Sequence, residues 1–292
     1  MIPNIAPELY VEYRRASMTP FRGSAPLTQE WKHFDFRCAQ GIATVTLSRP
    51  DKLNALTFEA YADLRDLLAE LPHAGDARVL LITGTGRGFC SGGDVEEIIG
   101  ELQKLPPAQL LEFTRMTGTV VKALRECSLP VIAAVNGIAA GAGSVIALAS
   151  DFRLLAQSAS FAFLFTRVGL AGADMGSAYL LPRIVGLGRA TELLMLGEKV
   201  SAQRAYEIGL ATKVVPDGEL VDTAAALAQR LAQGPALAYS ATKVLLAREL
   251  DMPLASAIEM EAMTQALLMK SDDFADFYSA WSDGRKPEWS GR

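Results

Sequence analysis

Polar and apolar positions along the chain fall into a recurring rhythm. "GIATVTLSRP" (41–50) alternates between the two classes, which predicts a strand stopped at Pro50. Thr57 then stands ahead of "FEAYADLRDLLAEL" (58–71), where Phe58, Tyr61, Leu64, Leu68 and Leu71 recur at helical spacing. That spacing predicts a helix with Thr57 as its cap. "RVLLITG" (78–84) is a buried strand ended by a glycine-rich turn. After it, Asp94 precedes "VEEIIGELQKL" with Glu97 three residues on, the pattern of a capping box. A helix over roughly 109–126 leads to a second buried strand, "PVIAAVNG" (130–137). Another glycine turn, an apolar helix to Ser150 and a third strand, "DFRLLA" (151–156), follow.

Strand, glycine turn and helix repeat, which predicts an α/β architecture. From about residue 189 the pattern turns helical. "SAQRAYEIGL", "GELVDTAAALAQRLAQ", "PALAYSATKVLLAREL" and "PLASAIEMEAMTQALLMKSDDFADFYSAW" are separated by Gly or Pro. The expected organisation is an N-terminal extension over 1–32, an α/β core over 33–215 and a C-terminal helical region over 216–292. The last would pack on the core or on another subunit.

Composition narrows the chemistry. With 292 residues, 50% hydrophobic and 21% charged, the chain is ordinary for a globular protein with a sizeable core. Its net charge of −5 points away from nucleic acid, whose binding domains are basic. Cys38, Cys90 and Cys127 are too widely spaced for a disulfide framework or a zinc site. The first thirty residues hold four prolines and no unbroken apolar run, so no secretory signal is read there. Asn136 and several glycines interrupt 131–149, so no membrane span is expected and a cytoplasmic protein is the default. The only histidines, His33 and His73, lie outside the glycine-rich stretches and read as exposed polar residues. Histidine-based catalysis and metal binding are therefore not expected.

The two glycine turns are "GTGRGFCSGGDVEE" (84–97) and "NGIAAGAGSVIALASD" (136–151). Each follows a buried strand and opens a helix, an arrangement that aims unpaired backbone N–H groups outward at the positive end of a helix dipole. Such a place suits an anion, or a carbonyl oxygen that becomes one, although plain turn chemistry would give the same residues. "GTGRGF" has Phe89 where the dinucleotide fingerprint needs its third glycine, and no Gly-Lys-Ser/Thr follows. "GFCSG" imitates a nucleophile elbow at Cys90, but both histidines lie upstream of it, so Cys90 reads as a small packing residue. What remains is an enzyme that polarises a carbonyl with backbone donors.

A third stretch, "RVGLAGADMGSAYLLPRIVG" (167–186), is small and apolar except for one acid, Asp174. Asp before a helix is a common cap, and an acid in apolar surroundings is also a chemical candidate. Apolar walls would raise its pKa and a helix N-terminus would lower it.

"LSRPDKLNAL", "LLITGTGRGFCSGGDVEE", "PVIAAVNGIAAGAGSVIALASDFRLL", "GLAGADMGSAYLLPRIVGLGRATELLMLGEKVSAQRAYEIGLATKVV" and "FADFYSAWSDGRKPEW" together resemble the enoyl-CoA hydratase/isomerase (crotonase) superfamily, from about residue 34 to the C-terminus. The resemblance implies a spiral of ββα units, followed by C-terminal helices that build homotrimers or hexamers (dimers of trimers). It implies an acyl-CoA substrate and no cofactor beyond the coenzyme A that the substrate carries. It implies an oxyanion hole from the N–H groups of Gly93 and Ala142, with Gly92 and Gly141 beside them. Contacts to coenzyme A would fall on Lys52, Ala55, Leu56, Ser91 and Asp94, the last also a candidate helix cap. Phe165, with Phe113, Phe161 and Phe163, would wall an alicyclic or aromatic acyl pocket, or simply belong to the core.

The departures from the family matter as much. Val145 and Phe165 stand where the hydratases carry their two glutamates. Asp174 matches the aspartate that shuttles a proton in dienoyl-CoA isomerases and attacks the ring in aryl-CoA dehalogenases. The dehalogenase histidine would fall near Gly118, and Tyr179 is the candidate supporting hydroxyl. Hydration or isomerisation of an unsaturated or ring-containing acyl-CoA ranks first. Thioester or ring-opening hydrolysis ranks second, and a CoA-ester-binding protein without catalysis third.

Overall fold

The computed structural model describes residues 31–73 and 77–291. Of the extension read over 1–32, only Trp31 and Lys32 fall within them; Trp31 stacks on Phe34 with ring centroids 5.0 Å apart.

Strands β1 (Phe34–Ala39) and β2 (Ile42–Leu47) form an antiparallel hairpin. Gln40 and Gly41 turn it, both at positive φ. Ala43, Val45 and Leu47 of β2 face the core, as the alternation predicts. Helix α1 (Phe58–Glu70) begins where expected, with Thr57 Oγ1 accepting from Ala60 N–H at 3.1 Å.

The chain then runs through pairs of one long and one short strand. β3 (Val79–Gly84) is followed by β4 (Gly88–Cys90), and β5 (Val131–Val135) by β6 (Ile138–Ala140). β7 (Phe152–Ala156) is followed by β8 (Ser160–Ala162). Helix α2 (Pro107–Glu126) comes after the first pair and α3 (Ala142–Ala149) after the second. α4 (Ser177–Val185) and α5 (Leu187–Leu196) come after the third. The long strands join one sheet in the order β1-β2-β3-β5-β7-β10, parallel except for β1. The short ones join a second, β4-β6-β8-β9. Leu56 pairs in parallel with Gly93, where a short strand would stand in the first unit. This is the spiral of ββα units that the resemblance implies. β5 has no exposed residue, which is why it reads as an unbroken apolar run.

Two short strands break the part of the sequence that reads as helical. β9 (Lys199–Ser201) closes the small sheet antiparallel to β8, and β10 (Lys213–Val215) the large one. Helix α6 (Ala202–Glu207) lies between them. After them come α7 (Leu220–Ala232), α8 (Ala236–Glu249), α9 (Leu254–Leu268) and α10 (Asp272–Asp283). The last two divide a stretch that reads as one helix; Ser271 accepts from Phe274 N–H and starts α10 afresh. The chain end returns to the core, where Arg78 donates to the carbonyls of Trp289 and Ser290.

Candidate active site

β4 and β6 are parallel neighbours, so the two glycine turns that follow them lie side by side. Glycine is required at the junction for steric reasons. A Cβ on Gly143 would come within 2.2 Å of Cys90 O, so α3 seats directly on β4. Gly141 starts α3 at φ +50° and ψ −122°, a backbone conformation open to glycine. Gly92, at φ +102°, has Ala142 N about 3.5 Å from where its Cβ would stand.

The pairing of Leu56 with Gly93 uses the neighbours of Gly93 and not Gly93 itself. Leu56 N–H donates to Gly92 O, and Asp94 N–H donates to Leu56 O. Among the described residues, neither Gly93 N–H nor Ala142 N–H has an acceptor. Two backbone N–H groups where the turns meet are thus left without acceptors among the described residues.

Asp94 is sealed at 2% exposure. Its Oδ1 accepts from Glu96 N–H (2.9 Å) and Glu97 N–H (3.0 Å), and Oδ2 lies 3.1 Å from an Arg49 nitrogen. It caps the helical segment that follows, while Oδ2, sealed from solvent beside Arg49, has no hydrogen-bond partner. The reciprocal half of the capping box does not form, because Glu97 turns to Arg49 at 2.7 Å. The expected helix opens with one wide turn, in which Ile99 and Gly100 N–H donate five residues back to Asp94 O and Val95 O.

The other predicted contacts divide. Lys52 is exposed on the rim and paired with Glu96 at 2.8 Å, which raises its pKa. Ser91 Oγ donates to Lys52 O. Ala55 and Leu56 are buried, and the Leu56 N–H and C=O are consumed by the pairing with the segment around Gly93. Arg49 donates to Ala55 O, and Asn54 Nδ2 donates to Thr85 O and Gly88 O, so the "DKLNAL" loop is pinned to the first glycine turn.

Asp174 is half-buried and does not cap α4. Gly176, in the left-handed region, holds the cap position without a side-chain bond. The Asp174 carboxylate instead accepts from the adjacent Met175 N–H at 2.8 Å, and Met175 is itself held at φ +51°. A non-glycine residue at positive φ stores strain, and such residues gather at functional sites. Ser177 Oγ braces the loop, accepting from Asp174 N–H and donating to Gly172 O. Burial outweighs the Met175 bond and raises the Asp174 pKa above the ordinary carboxylate value.

Tyr61 brings a hydroxyl to the first glycine turn. Sequence periodicity assigns it to the apolar stripe of α1, and it is indeed 3% exposed, with Phe113 edge-on to its ring. Its hydroxyl, however, lies 3.8 Å from where a Gly93 Cβ would stand. Burial, followed by the charges of Cys90 and Asp174, pushes its pKa well above that of an ordinary phenol. The available signal was the residue type, since a tyrosine on a buried stripe brings a hydroxyl that needs a partner.

The expectations for Tyr179 and His33 are corrected, and the core alternative holds for Phe161 and Phe163. The Tyr179 hydroxyl bonds Asp251, which also pairs with Arg183 at 2.8 Å, so it does not serve Asp174. Phe161 and Phe163 are fully buried and stacked on each other, and so belong to the core. His33 is largely covered and lies 3.3 Å from Glu59, whereas His73 is exposed as read. Val145 is fully buried and Phe165 nearly so, and neither can move a proton. Burial pushes the Cys90 thiol up to about 12, so at neutral pH it is no nucleophile. A groove of about 1210 Å3 between α2, α4 and α8 reaches Met175 and Gly176 beside Asp174, but neither Gly93 nor Ala142 lines it. No group of metal-ligating residues is found among the described residues.

The family model for enoyl-CoA hydratase/isomerase matches residues 37–292. The chain belongs to the enoyl-CoA hydratase/isomerase family. A probable enoyl-CoA hydratase of Rhodobacter capsulatus is 39% identical over 258 residues, covering 88% of this chain and 97% of that one. The 1,2-epoxyphenylacetyl-CoA isomerase of Escherichia coli is 36% identical, covering 87% and 96%. A solved structure from Streptomyces coelicolor A3(2), provisionally named an enoyl-CoA hydratase, is 61% identical with a TM-score of 0.90 and covers 94% and 100%. This family member is therefore an acyl-CoA enzyme of the hydratase/isomerase type. The crotonase fold, its α/β core and its C-terminal helices are those of its relatives.

Proposed function

We propose that the protein binds an unsaturated, alicyclic or aromatic acyl-CoA and holds its thioester oxygen between Gly93 N–H and Ala142 N–H. Asp174 is the single acid/base. The observation that carries this reading is the pair of backbone donors without acceptors, in a site whose carboxylate has a raised pKa. As a carboxylate, Asp174 takes a proton from an acyl carbon, and the electron pair moves onto the thioester oxygen. The resulting enolate is held by the two N–H groups. Asp174 then returns the proton at another carbon, so the double bond moves with no net change in atoms. Hydration is possible through the same enolate. Asp174 takes a proton as the water oxygen bonds to the β-carbon, then delivers that proton to the α-carbon. Isomerisation ranks ahead of hydration because Val145 and Phe165 stand where the hydratases carry their glutamates, so no second carboxylate holds the attacking water while Asp174 moves the proton. The relative named as an epoxyphenylacetyl-CoA isomerase supports both the isomerase reading and the ring-containing substrate.

Lys52 at the rim is the group assigned to the phosphates of coenzyme A, in exchange for its pairing with Glu96. Residues 216–292 are the assembly region, building a homotrimer or a dimer of trimers. The test uses a panel of enoyl-, dienoyl- and aryl-CoA esters in deuterated water, comparing wild type with Asp174→Asn. Deuterium exchange or isomerisation by wild type, lost in the variant, supports the assignment. Tight CoA-ester binding without turnover by either protein would favour a binding protein, and equal turnover by both would remove Asp174 from the mechanism.

A further inference from the structure

Tyr61 is more than nine-tenths buried, yet its hydroxyl bonds no described residue. Nor is that oxygen among the sealed, unpartnered side-chain atoms, so what remains exposed of Tyr61 includes the hydroxyl itself. A buried phenol normally finds a partner, and leaving it without one is costly. The ring cannot swing away to find one, because Phe113 stands edge-on to it and Phe58 edge-on to Phe113. The hydroxyl lies beside Gly93 on the first glycine turn, 3.8 Å from where a Cβ on that glycine would stand.

We propose that Tyr61 touches the substrate, donating a hydrogen bond to an oxygen carried on the acyl chain near the thioester carbonyl. This rests on the acyl-CoA reading above and names its substrate class: acyl thioesters with an oxo, hydroxy or ring-ether oxygen close to the carbonyl. The phenol does not replace either missing glutamate, because burial and the nearby acid keep it protonated. What it supplies is a fixed, neutral donor beside Gly93, placed to meet an oxygen on the acyl group. A purely hydrocarbon chain would leave the hydroxyl without a partner, and a site built to bond a substrate oxygen discriminates against the analogue that lacks it.

The test measures binding of acetoacetyl-CoA and butyryl-CoA to wild type and Tyr61→Phe by titration calorimetry, with thermal melting of both proteins. The two ligands differ by one chain oxygen, and neither has a double bond between carbons to isomerise or hydrate. The variant should bind acetoacetyl-CoA about tenfold or more weakly and butyryl-CoA unchanged, with a melting temperature no lower than wild type. Equal affinity of both proteins for acetoacetyl-CoA would overturn the proposal, as would an equal loss for both ligands. A lower melting temperature would assign the hydroxyl a partner within the protein and overturn it too. If wild type bound neither ester, the acyl-CoA reading itself would fall. If it bound butyryl-CoA normally and Tyr61→Phe changed nothing, only the role of Tyr61 would fall.

Discussion

At the scale of single residues, Asp174 carries an energetic signature that a cap would not. Its folded-state pKa is raised, chiefly by burial. The stability such a group confers is complete below the ordinary carboxylate value and is lost as pH rises through its folded value. Ionised Asp174 therefore costs stability at neutral pH, and Asp174→Asn should melt higher than wild type at pH 7. The gap should close toward pH 4, while turnover falls about 10²- to 10⁴-fold. A variant that melts lower at pH 7 would make the carboxylate structural. The thiols give an independent check. Cys90 and Cys127 are buried with raised pKa values and Cys38 is exposed, so a thiol reagent should find one fast cysteine in the native protein and three after denaturation. Rapid modification of Cys90 would reopen the thiol nucleophile that the sequence argues against. Asp174 is legible in the sequence because it is the one acid in an apolar stretch. Tyr61 is not, because periodicity classes it with Phe58 and Leu64 and says nothing about where its oxygen ends.

At the scale of elements, the site depends on how closely α3 sits on β4. The obstacle to a side chain at Gly143 is the Cys90 carbonyl, 2.2 Å from the would-be Cβ, and backbone cannot step aside as a flexible side chain can. Gly143→Ala should lift the start of α3, cost about 1–3 kcal/mol in denaturant unfolding and displace Ala142 N–H. If Ala142 N–H is the oxyanion donor proposed above, turnover should then fall by more than substrate binding does, since such a donor acts mainly in the transition state. Gly188→Ala on α5 is the matched control, because a Cβ there meets nothing and alanine favours a helix. Equal effects of the two would refute the close seating of α3. The long elements are legible because burial imposes a helical period on α2 and an unbroken apolar run of five residues on β5. β9 and β10 have three residues each, too few to show a period, and are fixed by the sheet edges they complete. The wide turn after Asp94 is likewise set by Leu56 and Arg49, which reach it from a distant part of the sequence.

At the scale of the whole molecule, the C-terminal arm presents an apolar surface that the single chain leaves uncovered. α9 carries leucines, isoleucine and methionines around its circumference, and only Ala257 is buried. Leu254, Leu267 and, on α10, Trp281 are each more than 70% exposed. Large apolar residues exposed on several sides of one helix form a patch of the kind that marks an interface. The arm is not loosely held. Asp251, between α8 and α9, is clamped by Arg183 and Tyr179 of α4, and the chain end is bonded to Arg78 and to Asp273. A fixed apolar face on every copy suits closed, symmetric association of identical chains better than capture of varied partners. If it forms the homotrimer or dimer of trimers proposed above, the protein should run in sedimentation or light scattering at three or six times the 31.3 kDa chain mass. Leu267→Glu with Trp281→Glu places two charges in that face and alters no contact of the glycine turns. It should shift the protein to smaller species with its far-ultraviolet spectrum unchanged. A monomeric wild type, or an assembly indifferent to both charges, would place the interface elsewhere.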